Sequence, residues 1–406
     1  TTAKICLIED FTPKTARSFE VARSTRFARG SGMPISIPVI EMIEIGAGGG
    51  SIAWVDAMAR IQTGPESAAS EPGPACYQRG GQRPAITDAD LVLGKIDPEN
   101  FAGGAIRLSL DAAQAAIARD VGDRLALTAE AAAFGICEVV DENMANAARV
   151  HAVENGKDIA DNIMVAFGGA APLHAARLCE KLGIDRCLIP PGAGVGSAIG
   201  FLKAPFGYEA LASRIIGLAE FDPAAVNALL DGLKATAEGF VRQGTAARIR
   251  CEVTAFMRYR GQGWEIPVPL PVRPFTAADA GLIRAWFLAA YAGFFGRAID
   301  GLSGLEIEIV TLSVKASDER PAPERHTLTL GRDAAPVSLF RAVFDPARGE
   351  ALPTAIVARD TLRPGTRVSG PAVIVEPETS TTVTSPFDAV MQEDGSLLLI
   401  RKGAAQ

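Results

Sequence analysis

The stretch from Ile163 to Gly200 limits what this chain can fold into more than any other. Two short apolar runs flank one helix-forming segment, and each run ends in a glycine turn. Ile163-Met164-Val165-Ala166-Phe167 reads as a buried strand and Gly168-Gly169-Ala170-Ala171 as a tight turn. Pro172 suits the first position of a helix, where its missing N–H is no loss. The helix continues from Leu173 to Leu182 and stops at Gly183, a natural left-handed C-terminal residue. Cys187-Leu188-Ile189-Pro190 is a second strand, leading into Pro191-Gly192-Ala193-Gly194-Val195-Gly196-Ser197. Glycines at the strand ends of one α/β unit let backbone approach a ligand closely. Helix N-termini there leave unpaired N–H groups that favour anions. That is the anatomy of a nucleotide site.

Composition narrows the function classes. With 406 residues, 48% of them hydrophobic, the chain can bury a sizeable core and divides naturally into two or three domains. A net charge of −7 without a long basic run argues against nucleic acid as a partner. No apolar run approaches the roughly 18 residues that a membrane span needs, so no membrane partner is expected. Six cysteines, widely spaced and without a C-x-x-C pair, read as reduced and mostly buried thiols of a cytoplasmic protein. Three scattered histidines do not suggest a metal site, so any metal would come with a nucleotide. The chain opens without methionine, directly into the strand-like Ala3-Lys4-Ile5-Cys6-Leu7-Ile8. It therefore reads either as a fragment or processed product, or as starting at a gene-model boundary.

Three regions are expected: residues 1–205, 206–320 and 321–406. The first mixes glycine turns, short apolar runs and alanine-rich helices, which indicates α/β packing. Within it, Gly46-Ala47-Gly48-Gly49-Gly50-Ser51-Ile52-Ala53-Trp54 makes room for backbone to wrap an anion, or forms a flexible hairpin tip. Asp111 is expected to cap a short helix, and Thr128 to open a long one reaching Asn155-Gly156. On the long helix, His151 reads as a packed or partly exposed side chain. His174, in the first turn after Pro172, is better placed to meet a ligand. A helix N-terminus disfavours imidazolium, so its ring is expected to be neutral.

In the second region, Pro223 to Arg242 reads as a helix. Residues 248–260 alternate in polarity as a half-buried strand. Pro267 and Pro269 confine the next strand to a sheet edge. Thr276 and Asp279 resemble a capping box. Pro321 and Pro323 mark a linker into a β-rich last region, where Asp394-Gly395 signals a hairpin.

Several multi-residue motifs occur in an order that resembles the A-type subunit of the hydantoinase/oxoprolinase family. They are Gly46-Ala-Gly-Gly-Gly-Ser-Ile-Ala-Trp, Pro72-Gly-Pro-Ala-Cys-Tyr, Phe167-Gly-Gly-Ala-Ala-Pro-Leu-His-Ala, Pro190-Pro-Gly-Ala-Gly-Val-Gly-Ser-Ala and Gly370-Pro-Ala-Val-Ile-Val-Glu. The resemblance covers nearly the whole chain. It implies an α/β fold: one lobe of an actin-like (ribonuclease H-like) ATPase followed by a mixed, β-rich C-terminal region. Family members carry a further N-terminal lobe with its own phosphate loop, and a second such loop would end at Thr1-Thr2.

The implied cofactor is ATP with Mg2+. Gly168, Gly169, Ala170 and Gly192 would meet the adenosine end. Thr1, Thr2, Gly48, Gly49, Gly50 and Ser51 would lie near the phosphates, with His174 as a further candidate. No general base stands out. The implied activity is ATP-dependent hydrolysis of a cyclic amide or imide, together with a B-type subunit, and this stretch alone would be inactive. Alternatives are the ATP-binding subunit of an acetone/acetophenone-type carboxylase acting on a small ketone, another actin-fold kinase, or a non-catalytic scaffold docking the B-type subunit. Two departures stand out: Ala171, where the family usually has glycine, and Ser67-Ala68-Ala69-Ser70, where it has a Ser-Ala-Gly-Ala run.

Overall fold

The computed structural model describes residues 1–16, 19–21, 31–35, 37, 39–295, 305–321, 326–331, 333–337 and 339–404. The chain divides into two compact units, residues 1–201 with 326–406, and residues 202–325. Pro323 of the expected linker lies outside the described residues.

In the first unit, β1 (Ala3–Ile5) pairs antiparallel with β2 (Ile43–Ile45), and β3 (Ser51–Val55) with β4 (Ile61–Ser67). The helices α1 (Ile86–Val92), α2 (Leu110–Ile117) and α3 (Ala129–Glu154) follow. Thr128 caps α3 as its sequence suggests, accepting from the Ala131 N–H. The cap of α2 is Ser109 rather than Asp111, because the Ser109 hydroxyl reaches the Ala112 N–H. Asp111 instead lies in the first turn, where a carboxylate suits the dipole.

Next come β5 (Met164–Val165), α4 (Ala171–Leu182), β6 (Arg186–Ile189) and α5 (Gly196–Lys203). The run at 163–167 is less buried than its composition suggests. Ile163, Val165 and Phe167 are each about half exposed, since β5 is the edge strand of its sheet. Gly183 ends α4 at φ +71, as expected of a C-terminal glycine.

The second unit is a four-stranded antiparallel sheet with two helices. Its elements are β7 (Gly207–Gly217), α6 (Pro223–Val241), β8 (Ile249–Tyr259), β9 (Ile266–Leu270), α7 (Asp279–Phe295) and β10 (Ile307–Asp318). Strand order is β7-β10-β8-β9. Pro267 and Pro269 sit on β9, an edge strand, where a missing N–H breaks no ladder bond on the free side. Val253, Ala255, Met257 and Tyr259 of β8 alternate into a core closed by Ile283 and Phe287 of α7. The Thr276 N–H and hydroxyl both donate to Asp279, at 2.7 and 3.0 Å, fixing the start of α7.

The chain then returns to the first unit with β11 (Asp333–Ala334), β12 (Leu339–Asp345), β13 (Glu350–Ala358), β14 (Thr366–Ser369), β15 (Ala372–Val375), β16 (Ser380–Val383), β17 (Phe387–Met391) and β18 (Leu397–Arg401). Strand β18 pairs with β6, giving the six-stranded sheet β5-β6-β18-β17-β14-β11. A second sheet has the order β12-β13-β15-β16. The last region is β-rich as expected, and it shares a core with the first: Cys179, Cys187 and Ile189 pack with Ile374, Phe387 and Leu399. Gly395, at φ +80, turns the β17–β18 hairpin.

Candidate functional site

Two sets of glycine turns lie in the first unit. In the first set, Gly168 adopts φ +115, a region that β-carbon-bearing residues avoid, and a Cβ there would meet nothing within 4 Å. Its N–H donates to the Ala193 carbonyl at 2.7 Å, which joins the turn after β5 to the turn after β6. Gly192, at φ +65, begins that second turn. The cap residue Ala170 offers α4 no side chain, and Pro172 fills an early position. Pro172 has no N–H and the Leu173 N–H donates to the Ala170 carbonyl at 3.1 Å, so the Ala171 N–H is the first-turn donor left for an outside acceptor.

The turn between β15 and β16 closes this set, a contribution that lies about two hundred residues away in sequence. The Thr379 hydroxyl donates to the Gly169 carbonyl at 2.8 Å. A Cβ at Gly194 would run into Glu378. Gly168, Gly169, Ala170 and Gly192 thus come together, with Glu378 and Thr379 as neighbours that sequence reading missed. The run Thr379-Ser380-Thr381-Thr382-Val383 is β-prone in composition, which signals the strand but not its partner.

The second set gathers around the N-terminus. Thr1 and Thr2 are exposed. The Thr1 hydroxyl lies 3.1 Å from that of Ser67, and a Cβ at Gly48 would fall 2.5 Å from the Thr1 nitrogen. The Thr87 hydroxyl donates to the Gly49 carbonyl at 2.9 Å. A Cβ at Gly50 would meet the Ser67 hydroxyl at 2.8 Å. Thr1, Gly48, Gly49 and Gly50 therefore sit together with Ser67 and Thr87. Ser51 is fully buried, its hydroxyl turned toward the Gly46 carbonyl at 3.4 Å.

Helix α1 links the two sets. Thr87 holds the Gly49 loop, and Asp88 accepts the N–H groups of Ala75, Cys76 and Ala85 at 3.1, 2.7 and 2.7 Å. Burial pushes the Asp88 carboxyl up, partly offset by those donors. One turn of helix thus pins the glycine loop and the Pro72–Tyr77 loop. Asp90, on the same turn, pairs with buried Lys95 at 2.8 Å and with His174 at 3.2 Å.

His174 is correspondingly not at either glycine set. It is 3% exposed, with Nε2 toward Asp90 and Nδ1 2.8 Å from Asp141 of α3. The expectation of a neutral ring is overturned. Burial opposes its charge, yet Asp90 and Asp141 outweigh burial and push the imidazole up to about 9. His151 is buried on α3.

The hydantoinase/oxoprolinase model matches residues 1–210, and its C-terminal domain model matches residues 224–401. The chain belongs to the hydantoinase/oxoprolinase family. An uncharacterized protein of Methanocaldococcus jannaschii is 32% identical over 99% of this chain and 57% of its own length. The caprolactamase subunit alpha of Pseudomonas jessenii is 32% identical over 86% of this chain and 51% of its own. A nucleotide-free structure from work on ATP-dependent acetone carboxylation superposes with a TM-score of 0.82 at 25% identity. That match covers 99% of this chain and 57% of the other. The chain thus spans about half the length of the curated relatives it matches. As in these hydantoinase/oxoprolinase relatives, the architecture is mixed α/β, and among the described residues no helix is long and apolar enough to cross a membrane.

Proposed function

We propose that this chain is the ATP-binding part of a cytoplasmic, ATP-dependent enzyme that hydrolyses cyclic amides or imides together with a B-type subunit. The observation that carries the reading is the uncapped N-terminus of α4 behind the open Gly168 turn. The Ala171 N–H there suits an anionic or polar ligand, and the absence of a Cβ at Gly168 lets it come close.

In this reading the adenosine end lies against Gly168, Gly169, Ala170 and Gly192, with Thr379 keeping Gly169 in place. The phosphates approach Gly48–Gly50, with the hydroxyls of Thr1, Thr2, Ser67 and Thr87 nearby. Ser51 supports that loop from inside. His174 lies behind the site, in the first turn of α4 between Asp90 and Asp141. In this reading Mg2+ arrives with the nucleotide. ATP supplies a phosphoryl group that converts an amide oxygen into a leaving group. The chain's own contribution is to bind and orient the nucleotide, which is most of what phosphoryl transfer needs from a protein.

Two lobes clamp a nucleotide in an actin-like ATPase, and we assign this chain the second. Phosphate donors from a further lobe would be needed for turnover. A carboxylase reading, with a small ketone as substrate, draws support from the fold similarity to the acetone carboxylase structure.

A thermal-shift titration with Mg-ATP tests the proposal, on this chain and on one extended upstream to the relatives' length. Ligand at 100 times its Kd stabilises by about 2.7 kcal/mol. A clear shift is expected for the longer chain, and no shift in either overturns the nucleotide reading. Release of a ring-opened product from a lactam, against carboxylation of a ketone, separates the two branches.

A further inference from the structure

Five side chains from three helices and one loop meet at a single buried point at the first turn of α4. Asp90 comes from α1 and Lys95 from the loop after it. Cys137 and Asp141 stand one turn apart on α3, and His174 comes from the first turn of α4. Lys95 donates to Asp90 at 2.8 Å and lies 3.7 Å from the Cys137 sulfur, whose thiol points to Asp90 at 3.4 Å. His174 bridges the two carboxylates, at 3.2 Å to Asp90 and 2.8 Å to Asp141, the latter off the line of a good hydrogen bond. All five are within a few per cent of complete burial.

We infer that His174 is a positioning residue: held between Asp90 and Asp141, its ring ties the N-terminus of α4, and with it the Gly168–Ala170 turn, to α1. Its functional consequence rests on the nucleotide reading above. Since Thr87 and Asp88 of α1 hold the Gly49 and Cys76 loops, the tie sets one glycine turn relative to the other. Two carboxylates and one ammonium leave a net negative charge in the interior, and only a charged imidazole brings the cluster to neutrality. A buried charge without a partner is strongly unfavourable. That need outweighs the helix dipole, which by itself disfavours a cation in a first turn.

Three further groups at this point are each held in one charge state by their surroundings. Burial opposes the Lys95 charge, but Asp90 holds its ammonium well above the usual range. Burial raises Asp90, but Lys95 and His174 hold it below the usual carboxylate range. Burial keeps the Cys137 thiol far above its ordinary value. Glu138 of α3 and Arg177 of α4, close by, are paired with each other at 2.8 Å. With these three held, the His174 imidazole, pushed up to about 9, changes charge between pH 8 and 10.

Hydrogen exchange by mass spectrometry on the wild-type chain and His174→Gln tests this. Exchange in peptides covering residues 167–176 should quicken at least tenfold in the variant, while peptides of α6 in the other unit stay unchanged. Unchanged exchange at 167–176 overturns the inference. Should His174→Gln fail to fold, the wild type is followed from pH 8 to 10 with intrinsic exchange corrected. The same acceleration should appear with a midpoint near pH 9, and a flat profile overturns the inference. In the upstream-extended chain, Mg-ATP affinity should fall about tenfold in His174→Gln and along the same pH profile, and equal affinity overturns it. Faster exchange with no Mg-ATP binding by the wild type leaves the tie standing and removes the nucleotide reading. Tight Mg-ATP binding with unchanged exchange does the reverse.

Discussion

The hydroxyl of Thr379 donates to the carbonyl of Gly169 across 210 positions of sequence, at 2.8 Å. A residue between two strands of the C-terminal sheet thereby fixes the turn that opens α4. The β-rich end of the chain is thus part of the candidate site rather than an appendage to it.

Replacing Thr379 with valine keeps the shape and removes the donor. The Gly169 carbonyl then loses its partner at a part-buried contact, for a loss of about 1 kcal/mol in urea unfolding. Nucleotide affinity should fall along with it.

Gly194 packs against Glu378 of the same turn so closely that a methyl group has no room. Gly194→Ala should displace the β15–β16 turn and lower stability by about 1–3 kcal/mol. Gly239, exposed on α6 with open space around it, serves as the control. There alanine should stabilise by about 1 kcal/mol in the same unfolding assay.

Lys95→Met leaves Asp90 buried without its ammonium partner. Breaking such a pair costs about 3–5 kcal/mol, readable as a lowered urea midpoint. Adding Asp90→Asn should recover part of the loss, because the stranded charge is then gone.

The His174 ring sets a pH dependence of stability. Its value rises from an ordinary 6.5 to about 9 on folding. The stabilisation is fully present below pH 6.5 and is lost as pH rises through 9. Thermal midpoints of the wild type should decline over that window, and those of His174→Gln should decline less.

Much of the fold was legible in the sequence wherever a single residue fixed a local event. Thr128 starts α3, Gly183 ends α4, Pro267 and Pro269 mark an edge, and Asp394-Gly395 makes a hairpin, all through short-range chemistry. What escaped was set by distant partners. The half-exposed β5 reflects its place at a sheet edge, which an apolar run does not reveal. The Ser109 cap won over Asp111 by position alone. The charge on His174 depends on Asp90 and Asp141, 84 residues upstream in one case and on another helix in the other. Its local context, a helix N-terminus, pointed the opposite way. Of the candidate site, the glycine turns were readable because glycine is needed for the backbone itself. Glu378 and Thr379 were not, since only tertiary pairing brings them there.

In the proposed site the Gly168–Ala170 and Gly192 turns hold the adenosine end of ATP. A crystal structure of the upstream-extended chain with a non-hydrolysable ATP analogue and Mg2+ tests it most directly. Base and ribose density is expected against these two turns, with the triphosphate directed toward Gly48–Gly50. Nucleotide density elsewhere, with both turns closed over by side chains, would contradict it.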